Sequence, residues 1–184
     1  TIARHIGFIG PLLEEQWTCR SPEEVVEILQ TRATRDRHTG RPLMYSSTDA
    51  HALRRYVDDT WKAEFKMLNG IRFWVIDRDS GQTIHIGGEY TWGDCREVAR
   101  RMEALATRLI PTGELAPQVV CITDGMPWIR EHVHPVLPND TCFILDFYHL
   151  AERLSEYANV AFGAKTQAAR RWVRQVVTDL TGKR

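Results

Sequence analysis

Three aspartates follow apolar runs with the texture of strands: Tyr45-Ser46-Ser47-Thr48-Asp49, Ile122-Thr123-Asp124 and Ile144-Leu145-Asp146. Carboxylates are hard oxygen donors, and Mg²⁺ takes oxygen ligands while keeping some of its waters. Three of them on one sheet edge would therefore form a cage for divalent cations. In parallel α/β sheets the carboxyl ends of the strands line the crevice where ligands bind, which would turn Asp124 and Asp146 towards a common edge. The competing reading is structural, because an aspartate after a strand often caps the next helix, and both of these precede helical patterns. His149, one turn into such a pattern, could orient a ligand or a phosphate, but it reads better as a hydrogen-bonded structural imidazole. Trp128 could stack on a base; its place in a short helix beside the sheet favours core packing. His132, His134 and His149 lack a recognised zinc spacing, so no zinc site is expected.

These residues need elements to position them. Residues 1 to about 20, with Gly7, Gly10 and Pro11, read as a packed but irregular lead-in. Ser21-Pro22-Glu23-Glu24 reads as an N-cap, a first-turn proline and a capping box, predicting a helix to about Ala33. A polar, basic connector over residues 32–41 follows. From Leu43 the runs 43–48, 61–68, 71–76 and 83–90 read as strands, with Asn69-Gly70 and Asp79-Ser80-Gly81 as turns between them. Asp94 can cap a helix whose Val98, Met102, Leu105 and Leu109 form an apolar stripe. Residues 118–123 and 141–145 read as buried parallel strands around a short helix over 127–133, and two further helices over 147–161 and 165–180 meet around Gly163. The expected class is α/β: a mixed sheet made of an antiparallel three-strand meander and then a parallel βαβ unit, flanked by helices, with a C-terminal helical segment. The boundaries are set at 1–42 for the helical lead-in and connector, 43–146 for the core and 147–184 for the helical segment.

Composition sets limits. With 184 residues, 43% of them hydrophobic, the chain can bury one good core. Lys plus Arg and Asp plus Glu both number 24, so no global basic field draws the molecule to phosphates. Charge is instead local: Lys165, Arg170, Arg171, Arg174, Lys183 and Arg184 make the end of the chain basic, either as a DNA-contacting helix or as a solvated face. Cys19, Cys95, Cys121 and Cys142 are too scattered for a C-x-x-C pair or a disulfide scaffold and read as reduced thiols. No run is long and apolar enough for a bilayer span, and no secretory signal is seen, so a soluble, cytoplasmic setting without a membrane partner is expected. The start at Thr1 and the end straight off a helical pattern suggest a piece of a longer protein.

Two motifs together carry a family resemblance. Asp124-Gly125-Met126-Pro127-Trp128-Ile129, followed by Leu145-Asp146-Phe147-Tyr148-His149-Leu150-Ala151-Glu152-Arg153-Leu154, resembles the signature of DDE insertion-sequence transposases related to the Mutator-like group. The likeness spans about residues 43–162. It implies a ribonuclease H-like catalytic core in which Asp124, in the Asp-Gly-x-x-Trp-Ile segment, is the second catalytic aspartate and Asp49 is the first. Asp146 and His149 match a Cys/Asp-x-x-His element, and Trp128 belongs to the first motif. The implied chemistry is two-metal phosphoryl transfer with Mg²⁺, or Mn²⁺ in its place, held by Asp49 and Asp124. The implied partners are transposon-end and target DNA, with Arg170, Arg171 and Arg174 as DNA contacts and a homo-oligomer when the protein is full length. The implied setting is the bacterial cytoplasm, in association with the nucleoid. The family's third acid is a glutamate on a late helix. Glu152 and Glu156 come too early for it, so it is expected beyond Arg184, and this piece alone would be catalytically incomplete. A ribonuclease H-like nuclease, or an inert transposase-derived module that binds DNA or oligomerises, are the competing functions.

Overall fold

The computed structural model describes residues 19–57 and 62–182, and the side chains of all of these except 51–57 and 62–66. The lead-in over residues 1–18, Trp61, Lys183 and Arg184 thus lie outside the described residues. The chain divides into two compact units, Thr1–Ile144 and Leu145–Arg184.

In the first unit, helix α1 (Pro22–Thr31) starts as its sequence dictates. The Ser21 hydroxyl accepts the Glu24 amide at 3.2 Å, and the Glu24 carboxylate accepts the Ser21 amide at 2.8 Å. The helix stops at Thr31, short of Ala33, because the chain there is taken into extended pairing: Ala33 bridges Asp77, and the Thr34 amide donates to Ile76 O at 3.0 Å. Strands β1 (Leu43–Val57), β2 (Lys62–Ile76), β3 (Thr83–Thr91), β4 (Gln118–Thr123) and β5 (Cys142–Leu145) form one five-stranded sheet in the order β3-β2-β1-β4-β5. β1 runs antiparallel to β2, β2 antiparallel to β3, and β1 parallel to β4, so the sheet is mixed.

Three expectations need correction. The strand read over 141–145 is not buried: β5 is the edge strand of the sheet, and Cys142, Ile144 and Leu145 are exposed. Asn69-Gly70 is not a turn but lies inside β2, which runs unbroken through both segments read as separate strands. What overrides the turn chemistry is the partner strand. Asn69 pairs with Ala50 and Thr91, Gly70 with Asp49 and Tyr90, and the buried Asn69 amide donates to Gly93 O at 3.0 Å. For the same reason Asp49 does not end the first strand, because antiparallel pairing with β2 carries β1 on to Val57.

Helix α2 (Cys95–Leu109) begins at Asp94, whose carboxylate accepts the amides of Arg96 and Glu97 at 3.1 and 3.0 Å. Its buried stripe Val98, Met102, Leu105 and Leu109 joins Val25, Ile28 and Leu29 of α1 and the inward side chains Met44, Ile71, Phe73, Val75 and Ile86 in one hydrophobic core. The helix approaches the sheet closely at Gly87, where an added Cβ would lie 2.8 Å from both Leu109 Cδ1 and Cys19 Sγ. The short helix expected over residues 127–133 is present as a wide helical turn, Ile129–Val133, continued by a tight one, His134–Val136. Its Ile129 and Val133 are buried in the same core.

The second unit is a helical hairpin of α3 (Phe147–Phe162) and α4 (Gln167–Thr181), with Gly163 at the junction as the sequence suggested. Ala158 and Ala169 are buried in it, and Trp172 lies between the rings of Tyr157 and Phe162 at 5.6 and 6.0 Å. Among the described residues no helix is long and apolar enough to cross a membrane.

Candidate functional site

The parallel register of β1 and β4 decides where the first two aspartates stand. Ser47 lies beside Ile122, and two residues further along the two chains come Asp49 and Asp124. Asp49 stays in the sheet, paired with β2, whereas Asp124 follows directly on the last residue of β4. What ends at this level is the pairing between β1 and β4: β4 stops at Thr123, while β1 continues with β2 alone.

Asp124 is half-buried and held by a local turn. Its Oδ1 accepts the Met126 amide at 2.9 Å, and Gly125 between them takes φ +74°, a conformation that a Cβ would strain. The capping reading of Asp124 is thus half right, since the carboxylate organises a turn with one oxygen. The second oxygen has no partner among the described residues. Asp49 is exposed, and its Oδ1 accepts the Ala50 amide at 2.8 Å. Across the sheet Asp49 pairs with Gly70, which pairs in turn with Tyr90. A Cβ on Gly70 would come within 2.9 Å of the Tyr90 ring, so the strip beside Asp49 is bare backbone with an aromatic ring leaning over it. Reading the sequence as a turn missed Gly70 and Tyr90 as neighbours of the site. The available signal was the unbroken odd-numbered phase of Phe65, Met67, Ile71, Phe73 and Val75 through Asn69-Gly70.

Asp146 belongs to the second unit, where it caps α3. Its Oδ1 accepts the Tyr148 amide at 2.9 Å, and its Oδ2 lies 3.1 Å from His149 Nδ1, so both oxygens have local work. That geometry suits a fixed helix start with an oriented imidazole. Trp128 is partly buried against the core of the first unit, the packing role expected of it. Arg170, Arg171 and Arg174 are exposed on α4, and none has a carboxylate partner among the described residues. No group of three or more His, Cys, Asp and Glu side chains able to hold a metal occurs among the described residues.

No protein-family model matches the sequence, and no curated protein matches it. Among solved structures the chain is similar to the Drosophila P element transposase strand transfer complex, at 9% sequence identity and a TM-score of 0.34 over 78% of this chain. The chain spans 35% of the length of that transposase chain.

Proposed function

We propose that this chain is part of a ribonuclease H-like catalytic core of a DDE-type transposase, related to the Mutator-like insertion-sequence group, acting on phosphodiester bonds of DNA. The observation that supports the reading is the parallel register of β1 and β4, which pairs Ser47 with Ile122, two residues before Asp49 and Asp124 in their chains. The mixed five-stranded sheet flanked by helices is compatible with that fold.

Two carboxylates fit a hard divalent cation, since Mg²⁺ commonly uses one or two protein carboxylates and completes its shell with water and substrate phosphate. The free oxygen of Asp124 and the exposed carboxylate of Asp49 would hold it, and when bound it would supply Lewis acidity at the scissile phosphate and a nucleophile at neutral pH. The protein's own part is positional. The Met126 amide and Gly125 hold the Asp124 carboxylate, and the pairing of β1 with β2 fixes the backbone at Asp49. A third acid would have to come from outside the described residues.

The test is Mn²⁺ binding to this chain, followed by electron paramagnetic resonance, with strand nicking by the full-length protein as a second readout. Asp49→Asn and Asp124→Asn should each weaken Mn²⁺ binding at least tenfold and abolish nicking. Binding of Mn²⁺ by the double variant at the affinity of the parent, or nicking that survives Asp124→Ala, would remove both residues from the site.

A further inference from the structure

The two units differ in charge. Residues 145–184 carry seven Lys and Arg against four Asp and Glu, which leaves seventeen against twenty in residues 1–144. Three of the seven basic residues line one place. An open groove of about 430 Å³ runs between α3 and α4, floored by Ala169, Val173 and Val177 and lined by Lys165, Arg170 and Arg174. No acidic side chain lines it.

Two features of these cations bear on what the groove could hold. Arg32, Arg41, Arg100, Arg101 and Arg153 each face a carboxylate. The side chains of Lys165, Arg170 and Arg174 have none among the described residues, although holding three like charges together costs free energy unless an anion joins them. Placement is also fixed. Lys165 is the one described residue other than glycine with a left-handed backbone, φ +59°, and the Asn159 side chain secures that turn by accepting the Lys165 amide at 2.9 Å. This bond uses the Asn159 oxygen and leaves its NH₂ as a donor at the groove. The groove therefore presents an ammonium, two guanidiniums one helical turn apart and an amide NH₂, all of them donors to oxyanions.

We propose that this groove binds the phosphate backbone of DNA, with Lys165, Arg170 and Arg174 as its cations and Asn159 as a neutral donor. The spacing fits a chain of phosphates better than a single one, because residues four apart on a helix are separated by about 6 Å. The apolar floor then faces sugar rather than charge. The choice of DNA over another polyanion rests on the carboxylate reading above, but the groove can fail by itself. An acidic peptide is the rival occupant.

Anisotropy titration of a labelled 20-base-pair duplex with this chain, at salt concentrations from 0.05 to 0.3 M, tests the proposal. Each phosphate neutralised contributes about 0.9 to the slope of log affinity against log salt. Arg170→Ala and Arg174→Ala should each lower that slope by about 1 and weaken binding about eightfold at 0.1 M salt. Arg170→Lys with Arg174→Lys should keep the slope, and Arg153→Ala, which removes an arginine already paired with Glu156, should change neither quantity. Circular dichroism would confirm that each variant is folded. Unchanged slopes in the alanine variants, no binding by the parent chain, or equal affinity for poly-glutamate would each overturn the groove as a DNA site. None of these results touches the carboxylate pair, which is judged by Mn²⁺ binding and nicking.

Discussion

At the scale of single residues, Asp124 does two jobs that substitution can separate. Its Oδ1 holds the Met126 amide, and its charge would hold a cation. Asparagine keeps an oxygen acceptor for that amide and removes the charge, whereas alanine removes both. Asp124→Asn should therefore unfold at the parental temperature, while Asp124→Ala should lose about 1 kcal/mol in denaturant titration, the usual net worth of such a hydrogen bond. Equal losses in both would mean that the turn depends on the carboxylate charge. The cysteines offer a second residue-scale contrast. Burial pushes the Cys121 thiol up to about 11, while Cys142 is exposed. Because the thiolate is the reactive form, Cys142 should be labelled by a disulfide reagent at pH 8 in the native protein. Cys121 should resist until denaturant is added, and mass mapping of the labelled peptides would read the order.

At the scale of elements, α2 is fixed to the sheet by its cap and by its seat. Asp94 satisfies two first-turn amides, so Asp94→Ala should cost about 1 kcal/mol. The seat is tighter. An alanine methyl at Gly87 would press on Leu109 and Cys19 at 2.8 Å, and overpacking of this kind costs about 1–3 kcal/mol. Chemical denaturation of Gly87→Ala should show that loss. Stability equal to the parent would mean that α2 can shift outward without penalty. The sequence marked the cap clearly, because Asp followed by a helical apolar stripe is a local pattern. It did not mark Gly87 as a helix seat, since a glycine inside a strand run carries no local sign of what lies over it.

At the scale of the whole molecule, acid should act in two windows. Burial, with Arg72 and Arg20 nearby, holds His85 down at about 4, so folding favours its neutral form. The stability this contributes is present above the unfolded value near 6.5 and is lost as pH falls through 4. Asp77 is held at about 2 by the Ser80 amide, then by Arg32, then by the Ser80 hydroxyl and the Asp79 amide. Its contribution is present above the ordinary aspartate value near 3.8 and is lost as pH falls through 2. Asp77 also ties the end of α1 to the turn between β2 and β3, so protonating it loosens a junction of the first unit. The melting temperature should fall between pH 6.5 and 4, and again below 3.8. His85→Gln should flatten the first fall and leave the second, and a parental profile in that variant would assign the first window to other groups.

Features that depend on neighbours a few residues apart were legible before any fold was known. The capping box at Ser21, the Asp94 cap, the stripe of α2, the strand character of β3 and β4 and the two helices meeting at Gly163 all follow from contacts within one or two turns, or from alternation along a single strand. The same local rules misread Asn69-Gly70, because a dipeptide that favours a turn in isolation is held extended once Ala50 and Thr91 pair on either side of it. They also placed Asp49 at a strand end, when what ends beside it is only the pairing with β4. The pairing of β1 with β4, on which the proposed meeting of Asp49 and Asp124 depends, was decided by the register between strands far apart in the chain. Register is set by which faces the whole sheet must bury against α1 and α2, and that condition exists only after the chain has folded.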